Sequence, residues 1–357
     1  MLRLKTALRV LSVCLLTCIV LVGTFNVNGR KLLGRAACFS VAAAAPDGFL
    51  GLFQGDNYDV GRLMFYDLPC VESVKSPVNS NEGQSQTVVN AVTKTVLGNI
   101  IKQTLTPYTA NSVFGSVYVN NQCGESVDIG ALLNGDLSFD ISSEGQPRVL
   151  IYHTHATEGY MESESLYYKD TDEPRSTDCE KNVVMVGEVI AEKLISAGFG
   201  VIHDKTLHDE PSFSGSYSRS AETVNAVLKK YPSIVIAIDV HRDSILGNGG
   251  DRVAPVVSVN GRDAAQVMLV MGSNTGAVTD HPKWRENLKL GVKLQNCFET
   301  SYPQFARALL LKSSRYNQNL TTGSILIEVG SDANTLEQAI YSAELVGESL
   351  VKLLNTV

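Results

Sequence analysis

From residue 147 to the end of the chain, short apolar runs alternate with longer segments in which apolar residues recur every three or four positions. The run 149–153, "VLIYH", predicts a buried strand. A polar loop follows, and then a helix over 182–198 whose apolar residues share one face and whose Gly198 reads as its stop. "FGVIHD" predicts a strand, "SRSAETVNAVLKKYP" a helix ending before Pro232, and "SIVIAIDVHRD" a further strand. "AAQVMLVMG" at 264–272 adds a strand and 285–299 a helix, while "SILIEVGSDAN" is the last strand and "TLEQAIYSAELVGESLVKLL" the closing helix. Strands alternating with helices predict an α/β fold, a largely parallel twisted sheet with helices on both faces.

Ahead of this alternation the pattern is weaker. Residues 88–105 place Val89, Val92, Val96, Leu97, Ile100 and Ile101 at helical spacing, which predicts an amphipathic helix whose stripe is a packing surface. "SVFGSVYVN" predicts a strand before the turn region "LLNGDLS", and "SPVNSNEGQSQ" at 76–86 a loop or linker. An uncharged apolar stretch, 10–25, follows Arg3, Lys5 and Arg9 and precedes Arg30 and Lys31. It falls just under the roughly 17 to 25 residues that span a bilayer and is long for the apolar part of a signal peptide. Either way the chain is exported, and the basic N-terminal flank places the remainder outside. An uncleaved anchor in the cytoplasmic membrane is the favoured reading, and a signal cleaved near the Ala42 to Ala45 run is its alternative. The expected organisation is a membrane anchor or signal segment at 1–28, a linker and membrane-proximal region with the amphipathic helix at 29–110, and a globular domain at 111–357.

Composition narrows the class. With 44% apolar and 19% charged residues the chain is globular, and a net charge of −7 without a basic stripe beyond the N-terminus excludes nucleic acid as a partner. The seven cysteines include no C-x-x-C spacing, so a cysteine zinc site is excluded, while disulfides remain open to an exported chain.

Three predicted strands end in residues able to bind a metal: "YHTHATE" at 152–158, "IDVHRD" at 238–243 and "LIEVGSDAN" at 326–334. Parallel strands bring their carboxyl ends to one edge of the sheet, so His155, Glu158, His241 and Glu328 are expected to meet there. Two histidines and a carboxylate are the ligands of a catalytic zinc site with an open fourth position. His155, Glu158 and His241 are therefore the candidate ligands and Glu328 the candidate general base, raised in pKa by its apolar strand. Taken singly, each piece has a plain structural explanation, such as a helix cap at "HRD" or a Glu328–Arg242 ion pair. His153 reads as a core or supporting histidine, and His203, His208 and His281 as surface or supporting ones. Glu180, before the 182–198 helix, is the rival to Glu158.

"IYHTHATEGY", "NVVMVGEVIAEKL", "GSYSRSAETV", "IDVHRDS", "YNQNL" and "LIEVGSDANT" stand in an order that resembles the stage II sporulation protein P family over about residues 110 to 357. The resemblance implies a membrane-anchored peptidoglycan hydrolase, an N-acetylmuramoyl-L-alanine amidase and endopeptidase acting in septal wall thinning and engulfment. It implies a domain similar to the zinc-dependent cell-wall amidases, in which a His, Glu, His triad holds Zn2+ and a strand-end Glu is the base. In those amidases the ligand Glu stands farther from the first His, near Glu180, whereas a His-x-x-Glu turn such as "HATE" is similar to that of the zinc carboxypeptidases. Stage II sporulation protein D, a lytic transglycosylase, and a polytopic membrane protein are the partners so implied. A wall-binding scaffold that keeps the fold without turnover is the competing function.

Overall fold

The computed structural model describes residues 95–141 and 146–356. The elements before the central sheet are β1 (Val96–Gln103), β2 (Ser112–Phe114), β3 (Val117–Asn121) and helix α1 (Ile129–Asn134). Next come β4 (Pro147–Tyr152), β5 (Tyr167–Lys169), α2 (Val183–Ser196), β6 (Gly200–His203), α3 (Ser216–Lys230) and β7 (Ile236–Asp243). The chain continues with β8 (Arg252–Val259), β9 (Arg262–Ala265), β10 (Val267–Gly272), α4 (Trp284–Ser301), β11 (Leu309–Lys312), β12 (Gly323–Ser331) and α5 (Leu336–Leu354).

The central sheet has the order β2-β3-β11-β10-β12-β7-β4-β6. Neighbours β12–β7, β7–β4 and β4–β6 are parallel, as are β3–β11 and β11–β10, while β2–β3 and β10–β12 are antiparallel. The sheet is thus largely parallel, with its direction reversed between β10 and β12.

Alternation along the strands sorts residues to two faces. Val149 and Ile151 of β4, Ile236, Ile238 and Val240 of β7, and Ile325, Ile327 and Val329 of β12 pack with α2, α4 and α5. Leu150, Tyr152 and Ala237 pack with Val224 of α3 on the other face. Both faces are therefore covered, and β4 is buried throughout from Val149 to Tyr152. Residues of odd number on β7 and even number on β12, His241 and Glu328 among them, fall on the α3 side.

Local signals set the helix ends. Asn182 caps α2 by accepting from Val184 N at 2.9 Å, and α5 opens on a capping box between Thr335 and Gln338. Gly198, at φ 92°, adopts the left-handed conformation that stops α2 where the pattern placed its end.

Two expectations need correction. Residues 96–103 form strand β1, not an amphipathic helix, pairing with β5 antiparallel and with β8 parallel in a second sheet of order β5-β1-β8-β9. Ile100 is buried against Tyr168 and Ala254 while Leu97 and Ile101 stay exposed, so the three-four spacing marks no packed helical face. Partners distant in sequence decided the outcome over local spacing. The strand expected over 264–272 is two, β9 and β10, interrupted at Gln266, whose side-chain amide donates to Leu105 O and Gln304 O.

The apolar segment 10–25, the linker 76–86, residues 88–94 of the expected helix, and Cys14, Cys18, Cys38 and Cys70 lie outside the described residues. Among the described residues no helix is long and apolar enough to cross a membrane, and Cys123, Cys179 and Cys297 are free thiols.

Candidate metal centre

Strand β4 ends at Tyr152 and a tight turn follows, closed by Glu158 N donating to His155 O at 3.1 Å. The turn sets His155 Nδ1 3.3 Å from Glu158 Oε1. From the end of neighbouring β7, His241 Nδ1 lies 3.4 Å from Glu158 Oε2. His155, Glu158 and His241 each offer one ligand atom within 4.8 Å of the others. Glu180 is exposed and stands outside this group.

Each of the three side chains is braced. Glu158 Oε2 accepts from Arg242 N at 3.1 Å. His155 packs against Phe213 and Tyr217, with ring centroids 4.3 and 5.5 Å away, and lies 4.9 Å from His241. His241 Nε2 stands 3.0 Å from Asp239 Oδ1, in ion-pair range. Asp239 is itself fixed by Thr154, whose N and Oγ1 donate to its two oxygens at 2.8 and 2.6 Å.

Burial disfavours charge on both Glu158 and His241, yet each meets an opposite partner. His155 and His241 hold Glu158 well below the usual carboxylate range. Asp239 and Glu158 hold His241 well above the usual imidazole range. Two imidazoles and one carboxylate converging on a point, with a further carboxylate behind one histidine, fit zinc with an open fourth position.

Glu328 of β12 is in register with His241 across the parallel β12–β7 pair, on the same face of the sheet. Its Oε2 is buried without a hydrogen-bond partner. Burial first, and then the nearby charge of Asp243, push its carboxyl up to about 8. A buried carboxyl with an unmet oxygen beside a ligand cluster is placed to exchange a proton with something that enters the site.

The remaining described histidines stand outside this cluster. His153 points to the opposite face of the sheet, with Nδ1 3.0 Å from Val240 O and Nε2 2.9 Å from His203 Nε2, and burial and His203 push it down to about 3. His203 Nδ1 meets Glu188 Oε2 of α2 at 2.7 Å. His208 supports the turn, its Nδ1 2.8 Å from His153 O and its Nε2 2.9 Å from Thr223 Oγ1. His281 is buried, neither at the surface nor bonded through its ring, and burial pushes it down to about 4.

Two residues near the cluster escaped the sequence pattern. Asp239 carried a signal, because its spacing of two from His241 on a strand puts both on one face. Arg175 carried none, lying in an aperiodic polar loop. It reaches the cluster through tertiary contacts, with Nη2 4.0 Å from Glu158 Oε1.

A family model described as stage II sporulation protein P (SpoIIP) matches residues 72–351. The curated stage II sporulation protein P of Bacillus subtilis (strain 168) is 29% identical over 211 residues, covering 56% of this chain and 49% of that protein. The match thus spans about half the length of that relative. Among solved structures, the N-acetylmuramoyl-L-alanine amidase AmiC2 of Nostoc punctiforme is 14% identical, with 60% of this chain and 98% of that chain covered and a TM-score of 0.34. The CwlD amidase of Clostridioides difficile, solved in complex with the GerS lipoprotein, is 12% identical, with 59% of this chain and 100% of that chain covered and a TM-score of 0.35. These structural likenesses are too slight to bear a functional argument.

Proposed function

This chain belongs to the stage II sporulation protein P family, and we propose that it is a zinc-dependent peptidoglycan hydrolase of sporulation, an N-acetylmuramoyl-L-alanine amidase. The observation that carries this reading is the convergence of His155, Glu158 and His241 beside Glu328, whose buried Oε2 has no hydrogen-bond partner. Zinc held by those three residues would polarise the scissile carbonyl and bring the pKa of its water toward neutrality.

The chain's own groups supply the rest. Glu328 accepts the proton of the attacking water and returns it to the L-alanine amine as that leaves. Its buried Oε2, free of any hydrogen-bond partner in the fold, suits both transfers. Asp239, fixed by Thr154, orients His241, and Phe213 with Tyr217 keeps the imidazole of His155 in place.

Peptide cross-links are a second bond class for the same chemistry. The apolar segment 10–25 would hold the enzyme at the outer face of the cytoplasmic membrane, and fractionation yielding mainly a shortened soluble form would contradict this. Stage II sporulation protein D and a polytopic membrane protein are the partners proposed with it.

Elemental analysis of the purified full chain, with release of stem peptides from peptidoglycan, tests the function. One zinc per chain and new L-alanine amino ends are expected, both lost in His155→Ala and His241→Ala. Wall binding with neither zinc nor release would leave the scaffold reading.

A further inference from the structure

Beside the metal cluster lies a polar cavity of about 470 Å3, whose lining includes Gly159, Tyr160, Met161, Lys169, Arg175 and Lys181. Its size falls within the roughly 300 to 1,000 Å3 of small-molecule sites. Arg175 is the lining residue that also touches the cluster, since its Nη2 lies 4.0 Å from Glu158 Oε1.

That guanidinium is anchored through Nη1. Its Nη1 donates to Asp209 Oδ2 at 2.6 Å and to Thr157 Oγ1 at 3.0 Å. Thr157 Oγ1 in turn donates to Asp209 Oδ2 at 2.6 Å, and Asp209 is buried. The Arg175 Cζ lies over the Phe213 ring, 4.9 Å from the centroid. Asp209 and Thr157 thus engage Nη1 and Phe213 packs against the group, while Nη2 lies 4.0 Å from Glu158 Oε1. About a third of the Arg175 side chain remains exposed, at 32%. Glu158 is the group opposite Nη2, and a metal ion would draw on that same carboxylate, freeing Nη2 for an incoming anion.

We propose that Arg175 and the cavity it lines form a subsite for the peptide stem of the substrate, with Arg175 binding a free carboxylate one residue beyond the scissile bond. The inference rests on the amidase reading above and names the part of the substrate that reading leaves open. Chain geometry supports the match. In a stem that begins L-Ala-γ-D-Glu, the α-carboxylate of the glutamate lies about 6 to 7 Å from the scissile nitrogen, at roughly 3.5 Å per residue. An arginine 4.0 Å from a ligand oxygen stands within reach of that carboxylate when the scissile amide sits at the cluster. Lys169 and Lys181 together with Glu162, Asp172 and Glu173 give the cavity both signs of charge, as a stem carrying a diamino acid requires. Such a subsite discriminates between walls, because amidation of the glutamate removes the charge that a guanidinium fork recognises.

The test is calorimetric binding of the tripeptide L-Ala-γ-D-Glu-meso-diaminopimelic acid, and of the same tripeptide with the glutamate α-carboxylate amidated, to the zinc-loaded full chain. Binding of the product side needs no turnover. The parent should bind the acid at least about tenfold more tightly than the amide, as expected of a charge-assisted contact. Arg175→Gln should abolish the preference while zinc content stays unchanged, and Arg175→Lys, which keeps the charge and loses the fork, should retain part of it and reports alone if Arg175→Gln does not fold. A preference shown by a parent that releases no stem peptide would sink the amidase reading and leave the subsite standing. Equal or absent binding of the two peptides by the parent overturns the subsite, as does an undiminished preference in the variants. Loss of zinc together with the preference also overturns it, since Arg175 would then act through Glu158.

Discussion

Glu328 on β12 stands in register with His241 on β7, so a carboxyl whose buried Oε2 has no hydrogen-bond partner and a histidine of the ligand cluster share one face of the sheet at one level. That pairing separates two roles. Glu328 is absent from the converging ligand set, although its neighbour on the next strand belongs to it. Glu328→Gln should therefore keep zinc while turnover falls by roughly 10²- to 10⁴-fold, the usual range for losing a general base. Stem-peptide release and elemental analysis on the same preparation check this, and a variant that loses its metal would make Glu328 a ligand.

The choice between two carboxylates is open to a direct comparison. Glu158 faces both histidines at 3.3 and 3.4 Å, whereas Glu180 is exposed and outside the group. Glu158→Ala is expected to lose zinc and Glu180→Ala to keep it, measured by elemental analysis after dialysis. The reverse pattern would transfer the middle ligand to Glu180.

Gly187 of α2 packs directly over the buried histidine pair. A Cβ there would come within 2.6 Å of His153 Cε1 and 2.9 Å of His203 Nε2. Both rings are held by the hydrogen bonds they make, so neither gives way easily. Gly187→Ala should cost roughly 1 to 3 kcal/mol in urea unfolding, the range for overpacking a core. An unchanged midpoint would show that the pair is free to shift.

Stability of the metal-free chain should depend on pH through Glu328. Its folded value of about 8 lies above the ordinary 4.5, so the folded state retains a proton that the unfolded state has lost. The stabilisation is full below about pH 4.5 and is lost as pH rises through about 8. His241, raised in the fold, acts in the same direction in parent and variant alike. Chelator-treated parent should thus lose more stability than Glu328→Gln between pH 5 and 8 in thermal unfolding. Parallel curves for the two proteins would show that Glu328 ionises normally.

Much of the fold was legible because its elements are locally consistent. Residues 149–152 are apolar on both faces as a central parallel strand must be, and the α2 helix begins at a capping asparagine and stops at a left-handed glycine. Strand β1 was illegible for the opposite reason: its spacing fitted a helix, and only pairing with β5 and β8 makes it a strand.

The sequence by itself determined which residues could gather. Its apolar runs end at His155, His241 and Glu328, and parallel strands in an α/β sheet send such ends to a common edge. Tertiary structure decided which of them share a face and what surrounds them. The two-residue period of β7 puts Asp239 behind His241, His153 just past β4 falls on the opposite face against α2, and the loop after β5 folds back to lay Arg175 beside Glu158. A loop without periodicity records none of this in its pattern, because its course is fixed by contacts such as Arg175 with Asp209 that join residues far apart in the chain.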